Sequence, residues 1–146
     1  MIAIGTIAHG AHLPGEIMCA MEWAAHLAGE PHSDEPTCVS PVIRKFMISW
    51  NDGITDDARR TELLRPLIPL TIGTRTNAED EKRRGMLALD WYMRSNVPAW
   101  LDLCPATRDE AAALRALPEI VGNRCAEFVF HALRKIVIDQ RIKLER

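Results

Sequence analysis

Seven residues of types that could do chemistry fall within twenty positions of this chain: Cys19, Glu22, His26, His32, Ser33, Asp34 and Cys38. Helical residues advance by about 100° each, so Cys19, Glu22 and His26 fall within about 60° of one another on an otherwise apolar helix. On that stripe the acid either faces water or, if it turns inward, needs a cation, a metal or hydrogen-bond donors to compensate its charge. His32, Asp34 and Cys38 add nitrogen, oxygen and sulfur donors of the kinds zinc accepts. Their spacing matches no HExxH, CxxC or ExxH pattern, so zinc stays an alternative.

A second chemistry places Cys38 as a nucleophile. It precedes the Ser40-Pro41 helix start by two residues, where a helix N-terminus lowers a thiol's pKa, and His32 is the candidate base. His32, Ser33 and Asp34 do not make a hydrolytic triad, because neighbours in one turn rarely converge. Ser33 and Asp34 are read instead as turn caps bonding nearby backbone N–H groups.

The elements that must hold these residues are helical. An apolar face of Ile17, Met21, Ala24 and Ala28 predicts a first helix from Gly15 to the stop at Gly29. A polar turn, Glu30 to Cys38, follows. Ser40 caps and Pro41 starts a second helix, with Val42, Phe46 and Ile48 to Trp50 expected on its buried side. Thr55 is expected to cap a third helix that Pro66 and Pro69 shorten. Thr76 or Asn77 opens the longest segment, in which Met86, Leu89, Trp91, Tyr92 and Met93 form the apolar side before Pro98 bends it. Thr107 and Glu110 read as a capping box. A last helix is expected over residues 123–141, with Cys125 inward. Residues 1–14 are a short strand or an extended N-terminal arm. The reading is an all-α fold, one compact domain over residues 1–146 of five or six helices with proline-kinked segments.

The totals narrow the function. The 146 residues are 47% hydrophobic and 26% charged, with a formal net charge of −2. Coating nucleic acid needs a basic surplus, so nucleic acid is not an expected partner. The pairs and triplets Arg59-Arg60, Lys82-Arg83-Arg84 and Arg134-Lys135 are read as solvated faces beside acids. Four scattered cysteines suit reduced thiols in a cytoplasm. No run approaches the roughly 18 apolar residues of a membrane helix, and no P-loop or dinucleotide turn is present. Trp23, Trp50, Trp91 and Trp100 are read as core anchors, with room for one to cap an interface.

The run from Met21 to Ile43 resembles a family of small uncharacterised proteins of actinobacteria and their phages. Their signature is M-E-A-x-x-x-x-A-G-E-x-x-S-D-x-P-x-C, followed by W-N-D or L-N-D, here Trp50-Asn51-Asp52. Leu67-Ile68-Pro69 and Gly73-Thr74-Arg75 are also similar, and Trp23 stands where that family has a small residue. The resemblance covers residues 15–80. It implies a bacterial or phage origin, and no catalytic role is carried over from it. The expected function is a protein-binding module, in a phage setting a host-takeover or anti-defence protein, with self-association into a homo-oligomer left open. The alternative is a small enzyme or metal-binding protein built on Glu22, His32, Asp34 and Cys38.

Overall fold

The computed structural model describes residues 4–15, 17–122, 131 and 134. Among the described residues the chain is mostly helical, with one minimal sheet, and it divides into two compact units, Met1–Glu81 and Lys82–Arg146.

The first unit begins with β1 (Thr6–Ile7), which pairs in parallel with β2 (Ile17–Met18), Thr6 opposite Ile17 and Ile7 opposite Met18. The arm at 1–14 therefore contains a strand. The same pairing corrects the first helix: Ile17 and Met18 are extended, and α1 spans Ala20–Ala28. Helical spacing of Ile17 with Met21 could not reveal that Ile17 lies outside the helix. Gly29, at φ +72, ends α1 as expected. Its left-handed conformation lets the Glu30 N–H reach back to the Ala25 carbonyl at 3.0 Å.

Helix α2 (Pro41–Gly53) starts at the Ser40 cap, whose Oγ accepts the Ile43 N–H. Its buried residues are Met47 and Asn51, while Phe46 and Trp50 are 47% and 39% exposed. The expected phase was rotated by one residue, because Asn51 takes a core position that polarity alone assigns to solvent. Helix α3 (Asp57–Leu64) is capped by Asp56, whose carboxylate accepts the Arg59 N–H at 2.7 Å, so Thr55 is not the cap. A single turn, α4 (Ile68–Thr71), follows, so the two prolines do interrupt this stretch. One core gathers Ile7, Met18, Met21, Trp23, Val39, Met47, Leu64 and Ile68. Trp23 is buried there and donates its indole N–H to the Thr6 carbonyl at 3.2 Å.

Arg60, expected on a solvated face, is 1% exposed. Its guanidinium donates to the Asn51 carbonyl at 2.7 Å, to the Ile7 carbonyl at 3.2 Å, and to the Ile54 carbonyl and the Asp57 carboxylate. One side chain thus satisfies carbonyls from β1, α2 and the α2–α3 connection, and that many donors explain why a cation is tolerated inside.

Helix α5 (Ala78–Trp91) opens at Asn77, whose side chain accepts the Glu79 and Asp80 N–H groups. It runs into a π-helical turn, Tyr92–Asn96, and then α6 (Val97–Leu101), with Pro98 buried at its start. Pro98 has no N–H to donate, and the wider turn precedes it. After a 3-10 turn, Pro105–Thr107, comes α7 (Arg108–Arg115). Thr107 precedes α7 without capping it, because its hydroxyl donates to the Leu101 and Cys104 carbonyls. In the second unit Met93, Leu114 and Ile120 form the core with Met86 and Leu89 against them. Trp91, Tyr92 and Trp100 are 45%, 52% and 70% exposed, so Trp50, Trp91 and Trp100 are not the core anchors expected and Tyr92 leaves the expected apolar side. Of the helix read over 123–141 only His131 and Arg134 are described, both helical and exposed, and the inward Cys125 lies outside the described residues.

Candidate functional site

Glu22 is 1% exposed, at the third position of α1. Cys19 is the N-cap. Its Sγ accepts the Glu22 N–H at 3.4 Å while Glu22 Oε2 accepts the Cys19 N–H at 2.7 Å, forming a capping box with sulfur in place of the usual hydroxyl. The pair meets because one caps the other's helix, and not because both lie on one face. His26 does not join them. It is exposed, with its ring edge-on to Trp23 at 5.6 Å.

The remaining partners of Glu22 come from two loops. The His12 N–H donates to Oε1 at 2.6 Å, and His12 Nδ1 lies 3.3 Å from Oε2. His32 Nε2 lies 3.5 Å from Oε1 and 2.6 Å from the His12 carbonyl. The latter contact requires a proton on Nε2, since a carbonyl oxygen only accepts. Burial alone would raise the Glu22 carboxyl pKa. The His12 and Cys19 amide donors outweigh it and hold the pKa below the ordinary 4.5. Glu22 is thus an ionised carboxylate clamped by two backbone amides and two imidazoles, and it ties the arm to the turn.

A second carboxylate staples the same turn. Glu30 accepts the Thr37 N–H at 2.5 Å, the Thr37 hydroxyl at 2.9 Å and the Cys38 N–H at 2.8 Å. Ser33 accepts the Glu35 N–H at 2.9 Å, the local turn bond expected of it. Asp34 makes no such bond among the described residues. It lines a cleft of about 60 Å³ with Cys19, Met21, Ile48, Asn51 and Asp52. At the far side of the turn Ser40 is buried, donates its hydroxyl to the Glu81 carboxylate at 2.5 Å and donates its N–H to the Thr74 hydroxyl oxygen at 3.0 Å.

Neither thiol of this region is activated. Burial, and then the Glu22 charge, push Cys19 up to about 12. Burial and the neighbouring Glu30 carboxylate also raise Cys38. His32, the candidate base for Cys38, is engaged with Glu22 and the His12 carbonyl. The proton on His32 Nε2 also removes the lone pair a zinc ion would need there. Among the described residues no group of three or more His, Cys, Asp or Glu is arranged to hold a metal.

Sequence reasoning passed over His12, Glu30 and Asn51. His12 sits in a stretch of glycine and alanine with no periodicity, so only the crossing of arm and turn reveals it. Asn51 accepts the Ala20 N–H at 3.2 Å and donates to the Ala8 carbonyl at 3.0 Å, joining α2 to both flanks of the sheet. Its place in the W-N-D triplet was the available signal. No helix among the described residues is long and apolar enough to cross a membrane. No family model, curated protein or solved structure matches the chain.

Proposed function

We propose that this chain is a protein-binding module that presents α2 on a rigidly braced frame. The observation that carries this reading is the Phe46–Trp50 pair. The two rings stand edge to face at 6.2 Å, one helical turn apart, and both are more than a third exposed. Large aromatic side chains are favoured contact anchors, and a helix fixed beforehand lowers the ordering cost of binding. The frame supplies that fixation: Ser40 bonded to Glu81 at one end of α2, and Asn51 and Arg60 at the other. The occupied state of Glu22 and Glu30 supports a bracing role for the signature turn over a catalytic one. The resemblance to actinobacterial and phage proteins supports a host protein in a bacterial cytoplasm as the partner, bound for takeover or anti-defence.

The test is capture from actinobacterial lysate by the tagged chain, compared with F46S/W50S. Retention of a defined protein by the wild type and its loss in the double variant, with unchanged circular dichroism, is the expected result. Equal capture by both forms, or none by either, overturns the proposal.

A further inference from the structure

The outer face of α2 is complementary to itself when the helix is turned end over end. At about 100° per residue, Val42, Phe46, Ser49, Trp50 and Gly53 lie within about 100° of one another. Val42 is half-buried and the other four are exposed. A side chain built at Gly53 would meet nothing within 4 Å, so that end of the stripe is open. Lys45 and Asp52, both exposed, share one edge of this face, within about 20° of each other. The opposite edge is half-buried Ile43. The neighbouring Arg44 is paired with Glu35 at 3.1 Å, whereas Lys45 has no ion pair among the described residues. Asp52 Oδ1 accepts the Gly10 N–H and the Asn51 side-chain N–H, and a carboxylate has lone pairs for a further donor.

A second copy laid antiparallel on this face answers each of these features. A two-fold axis perpendicular to both helices brings the same edge of each together, so the charged edge meets itself. With the axis at the level of Ile48, Phe46 falls opposite Trp50 of the second copy. The same operation sets Lys45 opposite Asp52 and Val42 opposite Gly53. At the helical rise per residue, each pair matches in height to within about 1.5 Å. Symmetry makes every contact twice, giving two aromatic pairs and two pairs of opposite charge. Parallel pairing would instead set the charged edge against Ile43. The 13 residues of α2 span about 20 Å, which puts this contact at the small, reversible end of protein interfaces.

We propose that the Phe46–Trp50 face of α2 pairs with the same face of a second copy, as a reversible antiparallel homodimer with reciprocal Lys45–Asp52 ion pairs. The inference rests on the reading of α2 as a docking face and names its occupant. A host protein then binds by displacing one copy.

The experiment is sedimentation velocity of the full chain over about 5–500 μM, with circular dichroism to confirm folding of each variant. The wild type is expected to dimerise with a dissociation constant on the order of 10–100 μM. F46S/W50S stays monomeric throughout. K45E weakens dimerisation by about fivefold or more, because symmetry doubles the loss and turns both attractions into repulsions. D52K alone is weakened in the same way. An equal mixture of K45E and D52K regains wild-type association, since every charge pair across the mixed dimer is again opposite. Asp52 also accepts the Gly10 N–H, so if D52K does not fold, K45E and F46S/W50S decide the matter. A monomeric wild type, a dimer unaffected by K45E or by F46S/W50S, or a mixture of folded variants no tighter than its parts each overturn the proposal. A wild-type dimer that captures nothing from lysate keeps this inference and removes the host partner. Capture by a strictly monomeric chain does the reverse.

Discussion

Replacing Glu22 by glutamine tests whether the carboxylate braces the first unit. The side chain keeps its size, but one oxygen becomes an amide NH2. Glu22 accepts two backbone N–H groups, from His12 at 2.6 Å and Cys19 at 2.7 Å, and faces imidazole nitrogens at 3.3 and 3.5 Å. Glutamine can accept only one of the two amides, and the other is left against a second donor. A hydrogen bond to a charged group contributes about 1.5–3 kcal/mol, and demoting the surviving bond to a neutral one adds about 1 kcal/mol. The expected destabilisation is therefore about 2–4 kcal/mol. In urea, with a slope near 1.5 kcal/mol per molar, the unfolding midpoint falls by about 2 M. The folded pKa of Glu22 lies below 4.5. Its contribution is present in full above the unfolded value and is lost as pH falls through the folded one. The gap between wild type and E22Q should be largest at neutral pH and close on strong acidification. Urea melts at pH 7 and pH 3 measure both quantities. A midpoint within about 0.3 M of wild type at pH 7, or a gap unchanged at pH 3, would refute the reasoning.

Three other substitutions and one labelling experiment examine the same frame. Arg60→Met leaves the Ile7, Asn51 and Ile54 carbonyls without their buried donor, and about 3–5 kcal/mol of stability is expected to go, read from urea unfolding. Ser40→Ala removes the α2 cap and the bond to Glu81, costing about 1–2 kcal/mol in the same assay. Glu30→Ala frees the Thr37 and Cys38 amides, and hydrogen exchange at those two positions should accelerate while the Trp23 amide is unchanged. At pH 8 a thiol reagent should modify exposed Cys104 quickly and leave Cys19 unlabelled until urea is added, because burial pushes Cys19 up to about 12. Mass mapping of the labelled peptides reads this directly.

The stop of α1 and the start of α2 were legible because they act through nearest neighbours. Gly29, without a side chain, takes up the left-handed turn cheaply, and Ser40-Pro41 carries both a cap and a preset φ. The phase of α2 was not legible. Phe46 and Trp50 outrank Met47 and Asn51 in apolar surface, yet the latter pair faces the core. Asn51 is drawn inside by the Ala20 N–H and the Ala8 carbonyl, groups that approach only after the strand pair has formed. Thr107 failed as a cap for a similar reason, since carbonyls of the preceding segment claim its hydroxyl.

By itself the order of residues determined a mostly helical chain, the stop of its first helix at Gly29, and that an acid on a greasy helix beside a polar turn is a place to look. These follow from backbone sterics and short-range periodicity, which need no distant partner. Only the tertiary structure decided that the acid is ionised, buried and held by His12 and His32. It also decided that Asp34 and Asp52 border one void, and that Arg60 lies inside. Each of those depends on segments separated along the chain meeting in space, and the energies that bring them together are not carried by any one segment.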